Sequence, residues 1–594
     1  MKRRQGIVQA GHRAAKEALP DADGVTHPEG NTDRCVNASG GLVRRGRRTQ
    51  HAQTLLVREP GYLDADRRWC APPVRAGKAE RPKPAMNGDE KSDPAIVAAK
   101  PANEPGQLGK ERVERRAGAK GNAVDPRGVR AQDRAASSLG IGRVRKIAQE
   151  RKGERFTTLL HHIDAPLLQQ AYYWLKRDAA PGVDGMTWEA YGHGLEARLC
   201  DLESRVHRGS YRAQPSLRAY IPKSNGRQRP LGIAALEDKI VQRAVVEVLN
   251  AIYETDFLSF SYGFRPGRGQ HDALDALVVG IENRAVNWIL DADIKGFFDN
   301  ISHEWMMRFV EHRIGDRRVL RLIRKWLTAG VVEEGVLHPA TKGTPQGAVI
   351  SPLLANIYLH YVYDLWVQRW RRCHAGGAMI VVRYADDTVV GFEHRSDAER
   401  FLAELRIRMA EFDLELHPEK TRLIEFGRYA ASNRSARGDG KPETFDFLGF
   451  THICSRSKRG GFLLIRHSRR DRRIAKLLEI KETLRRRWHQ DTAEQGEWLG
   501  MVVRGYFAYH AVPGNTRALS AFRYHVVELW RRALRRRSQR DRTTWRSMGR
   551  LADRWLPKPR ITHPWPAQRF RVKHPRWEPY AGIPHVRFCA GGAQ

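Results

Sequence analysis

Apolar and polar positions fall into three textures along the chain. From Met1 to about Ala136, Gly, Pro, Ala, Arg and Asp crowd out β-branched and aromatic residues, and neither a 3.6- nor a 2-residue period is sustained. Residues 1–136 are therefore expected to be a disordered basic tail. Within it, Met86 reads as an alternative start, and residues 1–85 as an over-long reading frame or a spacer. Helical periodicity begins near Ile141 and is clear in Phe156-Thr-Thr-Leu-Leu and in Leu167 to Lys176. From there to residue 465, helical stretches such as Asp238 to Tyr253 alternate with short strand-like runs, an α+β texture. After Arg466 the pattern is helical and strongly basic: Phe522, Val526, Trp530 and Ala533 recur at helical spacing, among arginine clusters at 469–473, 485–487 and 535–537. The expected division is thus an α+β region over 137–465, a helical domain over 466–565 and a C-terminal tail over 566–594. No internal repeat is visible.

Two strand patterns carry acids where strands disfavour them. Ile380-Val-Val-Arg-Tyr384-Ala-Asp386-Asp387-Thr-Val-Val-Gly-Phe392 reads as a hairpin with carboxylates at its tip. Trp288-Ile-Leu-Asp291-Ala-Asp293 reads as a strand, and alternation puts Asp291 and Asp293 on one face. Crowded carboxylates repel unless a cation neutralises them. If the two strands are neighbours, three acids converge, which suits two Mg²⁺ ions about 3.5–4 Å apart, the arrangement that drives in-line phosphoryl displacement. An isolated Asp-Asp pair at a turn is more often structural, so the neighbouring motifs decide. One is Gly343-Thr-Pro-Gln-Gly347 running into Ser351-Pro352-Leu-Leu, a glycine-flanked turn at a helix start. Ser351 is expected as the N-cap and Pro352 as the first helical residue. Such a turn lets backbone approach a nucleotide or template strand, and Gln346 supplies hydrogen bonds there.

Composition narrows the partners. Of 594 residues, 104 are Lys or Arg and 67 Asp or Glu, a net charge of +37, while 41% are hydrophobic. The apolar share excludes a wholly disordered chain, and the charge calls for a polyanion, most simply a nucleic acid. No apolar run approaches a membrane span, and the first residues lack the apolar core of a secretory signal, so a cytoplasmic protein is expected. Six scattered cysteines form no Cys-x-x-Cys pair, which supports neither a zinc ribbon nor a disulfide framework.

Eight blocks occur in order: Pro181-Gly-Val-Asp-Gly185, Ile221-Pro-Lys-Ser-Asn-Gly-Arg-Gln-Arg-Pro-Leu-Gly-Ile233, Ser261-Tyr-Gly-Phe-Arg-Pro266, Asp293-Ile-Lys-Gly-Phe-Phe-Asp299, the Gly343 loop, Tyr384-Ala-Asp-Asp387, Leu416-His-Pro-Glu-Lys-Thr-Arg422 and Phe447-Leu-Gly449. Together, from about Arg155 to Phe450, they resemble the reverse transcriptases encoded by bacterial group II introns. The resemblance implies a right-hand polymerase fold, with fingers and palm around an antiparallel sheet over 137–465 and an α-helical thumb and maturase domain over 466–565. It implies two Mg²⁺ ions held by Asp293, Asp386 and Asp387 as catalytic residues, with Asp291 left structural. By the same resemblance Lys223 and Arg229 hold the nucleotide triphosphate, Phe298 lies beneath the incoming sugar and excludes a 2′-hydroxyl, Gln346 braces the nucleotide and Lys420 contacts a phosphate near the leaving pyrophosphate.

The basic helical region resembles the family's RNA-binding part, most recognisably at Arg504 to His510. Arg469, Arg470, Arg485, Arg486, Arg504, Arg535 and Arg536 are the expected RNA contacts, with interleaved Tyr and Trp to stack on unpaired bases. Expected partners are the intron RNA, an RNA template, a DNA primer or target and deoxynucleotides. The expected activities are RNA-directed DNA synthesis, assistance to splicing and retrohoming by target-primed reverse transcription. Only Cys589 follows Cys454, so no metal-binding DNA-cutting module is expected, and the DNA would be primed another way, such as from a nascent strand at a replication fork. Two other readings are an RNA-binding splicing cofactor with a vestigial polymerase, which the three intact acids oppose, and a retron or defence reverse transcriptase, which the basic helical domain opposes.

Overall fold

A computed structural model of the protein describes residues 140–222, 228–537 and 543–573. The expected tail over 1–136 lies outside the described residues. Helix begins at Gly140, beside the point where apolar periodicity starts.

Eleven strands among the described residues form three sheets. In the first, β1 (Ser216–Pro222) and β2 (Gln228–Ile233) are antiparallel, β1 runs parallel to β4 (Val331–Glu333), and β4 turns into β5 (Val336–His338). The second has the order β6-β7-β3-β8, from β6 (Met379–Tyr384), β7 (Asp387–Phe392), β3 (Trp288–Ala292) and β8 (Arg422–Glu425), every pair antiparallel. The third holds β9 (Phe445–Phe447), β10 (Phe450–Arg456) and β11 (Phe462–Ser468).

The second sheet is covered on both faces, which is why its strands read as nearly unbroken apolar runs. Because side chains alternate, Leu290, Val381 and Val390 join a large core shared with the helices Leu236–Asp256 and Ser351–Leu359. Ile289, Ile380, Val382, Val389 and Ile424 join a second core under the helix Gln270–Asn283 and the third sheet. A third core belongs to the basic region. Phe522, Val526 and Trp530 on helix Thr516–Arg535 meet Leu499, Val503 and Phe507 on helix Thr492–His510 and Met548 and Ala552 on helix Trp545–Trp555. The helical period read from the sequence is the buried face of that bundle.

Two boundaries differ from those expected. Arg466 does not open the basic region: it is a buried residue inside β11, its guanidinium 3.0 Å from Asp275 on helix Gln270–Asn283. Nor is the chain after 565 simply a tail, because Pro566–Lys573 forms a helix that packs on Gln270–Asn283. Its Phe570 enters the second core, and Arg569 reaches the same Asp275 at 3.1 Å. The long-range ion pair and a single buried aromatic, neither visible as periodicity, fix both.

Candidate active site

The two acidic strand patterns are adjacent in space. β3 pairs with β7 up to Ala292 opposite Thr388, so the next residues along each strand are Asp293 and Asp387. Tyr384 pairs with Asp387 and closes the hairpin with Ala385 and Asp386 as its two-residue turn. Ala385 takes a left-handed φ of 57°, a conformation that costs a residue with a Cβ about 1–2 kcal/mol.

The acids sense one another. Burial raises Asp387 to about 6, helped by the charges of Asp386 and Asp293 and opposed by Arg472 and Lys420. Its side chain is nevertheless exposed to solvent, which tempers the shift. Burial also raises Asp386, with Asp293 adding to the rise and Arg229 and Arg383 opposing it. Asp291 is raised to about 7 by burial, against Arg422 and with Asp387 and Asp293, so it shares this electrostatic environment although the family resemblance leaves it structural.

Cations ring the acids. The segment after β3 pairs with residues 415–417: the His417 amide donates to the Asp293 carbonyl at 2.7 Å, and Ile294 bridges Leu416. This carries Lys420 to Asp293, where Nζ lies 2.5 Å from Oδ2. Arg229 acts on Asp386 and Arg472 on Asp387. Arg472 sits near the start of helix Arg470–Arg486, beside Gly449. It belongs to the arginine run at 469–473, and only the fold distinguishes it from its neighbours. Among the described residues, no group of three or more His, Cys, Asp or Glu side chains is gathered closely enough to hold a metal ion.

The glycine loop rests on the turn that follows β3. The Thr344 amide donates to the Phe298 carbonyl at 2.8 Å, and the Gly343 amide to that of Ile301 at 2.7 Å. Gly343 has a φ of 81°, and a Cβ there would stand 2.9 Å from the Asp299 carbonyl oxygen and 3.0 Å from that of Phe298, so both conformation and contact demand glycine. Phe298 is half-buried against the large core and packs edge-on to Phe297. The carbonyl of Gln346 accepts from the Gly232 amide of β2 at 2.7 Å, which joins the loop to the strand carrying Arg229. The helix starts at Ser351 with Ile350 in the cap position. Instead of capping the helix, the Ser351 hydroxyl turns back to Thr344 Oγ1 at 2.6 Å and the Pro345 carbonyl at 3.1 Å. Lys223 lies outside the described residues.

The predicted RNA contacts separate by environment. Arg469 is paired with Asp471 at 2.6 Å and Asp446 at 3.5 Å. Arg470, Arg485, Arg504, Arg535 and Arg536 are exposed, as is Arg486, which stands 3.8 Å from Glu482. The aromatics divide as well. Trp530 is buried and Tyr506 stacks on Phe522, whereas Trp488, Tyr524, Trp545 and Trp565 are exposed. Among the described residues no helix is long and apolar enough to cross a membrane.

Known proteins resemble this chain in sequence. Residues 221–452 match the reverse transcriptase (RNA-dependent DNA polymerase) family. Protein YkfC of Escherichia coli (strain K12) is 35% identical over 311 residues, which cover 47% of this chain and 77% of YkfC. Group II intron-encoded protein LtrA of Lactococcus lactis subsp. cremoris is 38% identical over 222 residues, 37% of each chain. Nuclear intron maturase 3, mitochondrial, of Arabidopsis thaliana is 29% identical over 125 residues, 21% of this chain and 17% of that one. The match thus spans most of YkfC but little more than a third of LtrA. With the acidic hairpin, the strand beside it and the glycine loop in one place, the chain belongs to the RNA-directed DNA polymerases of the group II intron reverse transcriptase and maturase family.

Proposed function

We propose that this protein copies RNA into DNA for a mobile group II intron, binds the intron RNA in its splicing-competent form and supports retrohoming from a DNA primer, acting in the cytoplasm. What supports the reading is that Asp293 and Asp387 continue two paired strands far apart in sequence, with Asp386 in the turn beside Asp387 and Lys420, Arg229 and Arg472 acting on these acids. On this reading the α+β region through β11 is fingers and palm of a right-hand polymerase, and the basic helices that follow, from Arg470 to residue 565, are its thumb and maturase domain.

Asp293, Asp386 and Asp387 would hold two Mg²⁺ ions. Their chemistry fits: all donors are hard carboxylate oxygens, and the charge of Asp293 raises the proton affinity of Asp386 and Asp387, a repulsion that a divalent cation relieves. Bound there, Mg²⁺ makes the primer hydroxyl more acidic and stabilises the leaving oxygen. The chain's own residues do the rest. Arg229, with Lys223, presents its planar fork to the triphosphate oxygens. Phe298 forms a wall beneath the incoming sugar that leaves no room for a 2′-hydroxyl. Gln346 braces the nucleotide from a loop held on both sides by backbone hydrogen bonds. Lys420 exchanges its pairing with Asp293 for a phosphate near the leaving group. Arg470, Arg485, Arg486, Arg504, Arg535 and Arg536, with Arg469, neutralise RNA phosphates.

Asp386→Ala is expected to reduce Mg²⁺-dependent cDNA synthesis by at least a thousandfold while leaving intron RNA affinity within twofold, measured by primer extension and filter binding. A wild-type protein that binds the RNA yet extends no primer would point instead to a splicing cofactor with a relic site.

A further inference from the structure

We infer that Arg383, Asn356 and Asp364 form a positioning unit that fixes the backbone of the Ala385–Asp386 turn and thereby sets the rate of nucleotide transfer. The inference rests on the polymerase reading of the acids. It concerns how they are held, which neither the sequence motifs nor the relatives assign.

Arg383, the residue before Tyr384, is fully buried, and each of its five N–H groups has an acceptor. Nε and Nη2 donate to the two oxygens of Asp364 at 2.7 and 2.6 Å. Nη2 also donates to Ser261 Oγ at 2.7 Å. Nη1 donates to Asn356 Oδ1 at 3.1 Å and to the Ala385 carbonyl at 2.9 Å. Exposures of Asp364, Arg383, Asn356 and Ser261 lie between 0% and 1%. The last bond matters most, because the Ala385 carbonyl belongs to the peptide that leads into Asp386.

The same cluster also holds the segment packed against the turn. A Cβ on Gly263 would stand 2.2 Å from the Ala385 amide nitrogen, so the 261–263 segment lies directly against the turn. Asn356 Nδ2 donates to the Gly263 carbonyl at 2.7 Å, and the Tyr262 amide donates to the Arg383 carbonyl at 2.9 Å. Asn356 thus links the guanidinium bonded to the turn with the segment packed against it.

Stability alone is a weak reason for such a cluster. A buried ion pair gains little over well-packed apolar residues of the same volume, since desolvating both charges offsets their attraction. What an arginine fork supplies is direction: a planar set of five donors fixed relative to one another. Lysine retains the charge but has three donors in a different geometry and cannot reach Asp364, Asn356 and Ala385 at once. Delivery of Asp364 also departs from ordinary helix geometry, because His360–Asp364 forms a π-helical turn after helix Ser351–Leu359. Such insertions are concentrated at functional sites. The chain accepts an irregular helix and a left-handed alanine where one carboxylate, one amide and one guanidinium meet at the turn that leads into Asp386.

Single-nucleotide primer extension on the full chain tests this with Asn356→Ala, Arg383→Lys and Ser261→Ala. Ser261 also accepts from Arg383 but makes no side-chain bond to the turn, so it reports general loosening. Asn356→Ala and Arg383→Lys are expected to lower kcat by about ten- to a hundredfold, the cost of a small misplacement of reacting groups. KM for the nucleotide and Kd for the primer–template should stay within about twofold, and Ser261→Ala should retain wild-type kcat despite a lower melting temperature. The inference is overturned if kcat of Asn356→Ala matches wild type at a temperature where circular dichroism shows both folded, or if all three variants lose kcat in proportion to melting temperature. Should Arg383→Lys not fold, Asn356→Ala decides alone, because it leaves the pair with Asp364 in place. A wild-type enzyme that extends no primer overturns the polymerase reading instead.

Discussion

Asp291 shows how a single carboxylate in this site trades stability for position. It lies on β3 on the same face as Ile289, and its pKa of about 7 stands well above the value of about 4 for an unfolded aspartate. The fold therefore favours the protonated form. Its contribution to stability is complete below about pH 4 and is lost as pH rises towards 7, beyond which the ionised group imposes its full cost. Asp291→Asn should thus raise the melting temperature by a few degrees at pH 8 and leave it unchanged at pH 4, as differential scanning fluorimetry across that range can read. A gain at pH 4 as large as at pH 8 would mean that charge is not the cause. Phe298 is a second case at this scale. Its backbone is held by the Thr344 amide and its ring rests on the large core, so Phe298→Val should shorten the side chain without moving the turn. Incorporation of ribonucleotides relative to deoxynucleotides is then expected to rise by about tenfold or more, roughly the 1–3 kcal/mol that separates substrates differing by one small group in a pocket. Unchanged sugar discrimination would reject the proposed wall.

Elements matter here through what lies on their two faces. The hairpin β6–β7 was legible because Val-Val and Val-Val runs flank a polar centre, but its burial on both sides was not, since an apolar run has the same appearance whichever core each residue joins. Alternation then dictates that Asp291 and Asp387 point the same way as Ile289 and Val389. The glycine loop behaves similarly: its turn chemistry was readable, but the close approach that requires Gly343 comes from the carbonyls of Phe298 and Asp299, more than forty positions earlier in the sequence. Gly343→Ala should cost about 1–3 kcal/mol of stability, as expected for a side chain forced into a left-handed conformation against backbone. Because the loop loses its seat on the Phe298 turn, polymerisation should fall further than the fraction of folded protein. Melting and primer extension on one preparation separate the two effects. At Ser351 the rule that serine caps helices misplaced one residue, because Thr344 and Pro345 offered its hydroxyl closer partners.

Among the described residues, Asp293, Asp386 and Asp387 lie at the end of one sheet, and exposed arginines recur along the helical bundle beyond β11. On the proposed RNA-binding role, Arg535→Ala with Arg536→Ala removes two cations at the end of helix Thr516–Arg535 and leaves its buried face, Phe522, Val526 and Trp530, intact. Affinity for structured RNA should fall, and the slope of log K against log salt should become shallower by roughly 0.7–0.9 for every phosphate that is no longer neutralised. A weakened affinity with an unchanged slope would assign those arginines to something other than phosphate.

The sequence alone determined the α+β and helical textures, the need for a polyanionic partner, the acid-tipped hairpin and the order of motifs. All of these rest on local periodicity, composition or short-range spacing, which the chain carries without folding. It left Asp291 and Asp293 equivalent on one face until the motif order separated them. Tertiary structure decided that β3 lies beside β7, that Lys420 faces Asp293, that Arg466 and Arg569 share the buried Asp275, and that Arg383 braces the turn ahead of Asp386. Each of those joins residues far apart along the chain or depends on which face of a strand meets which core. A one-dimensional pattern states that a face is apolar or charged, but only packing specifies what stands opposite it.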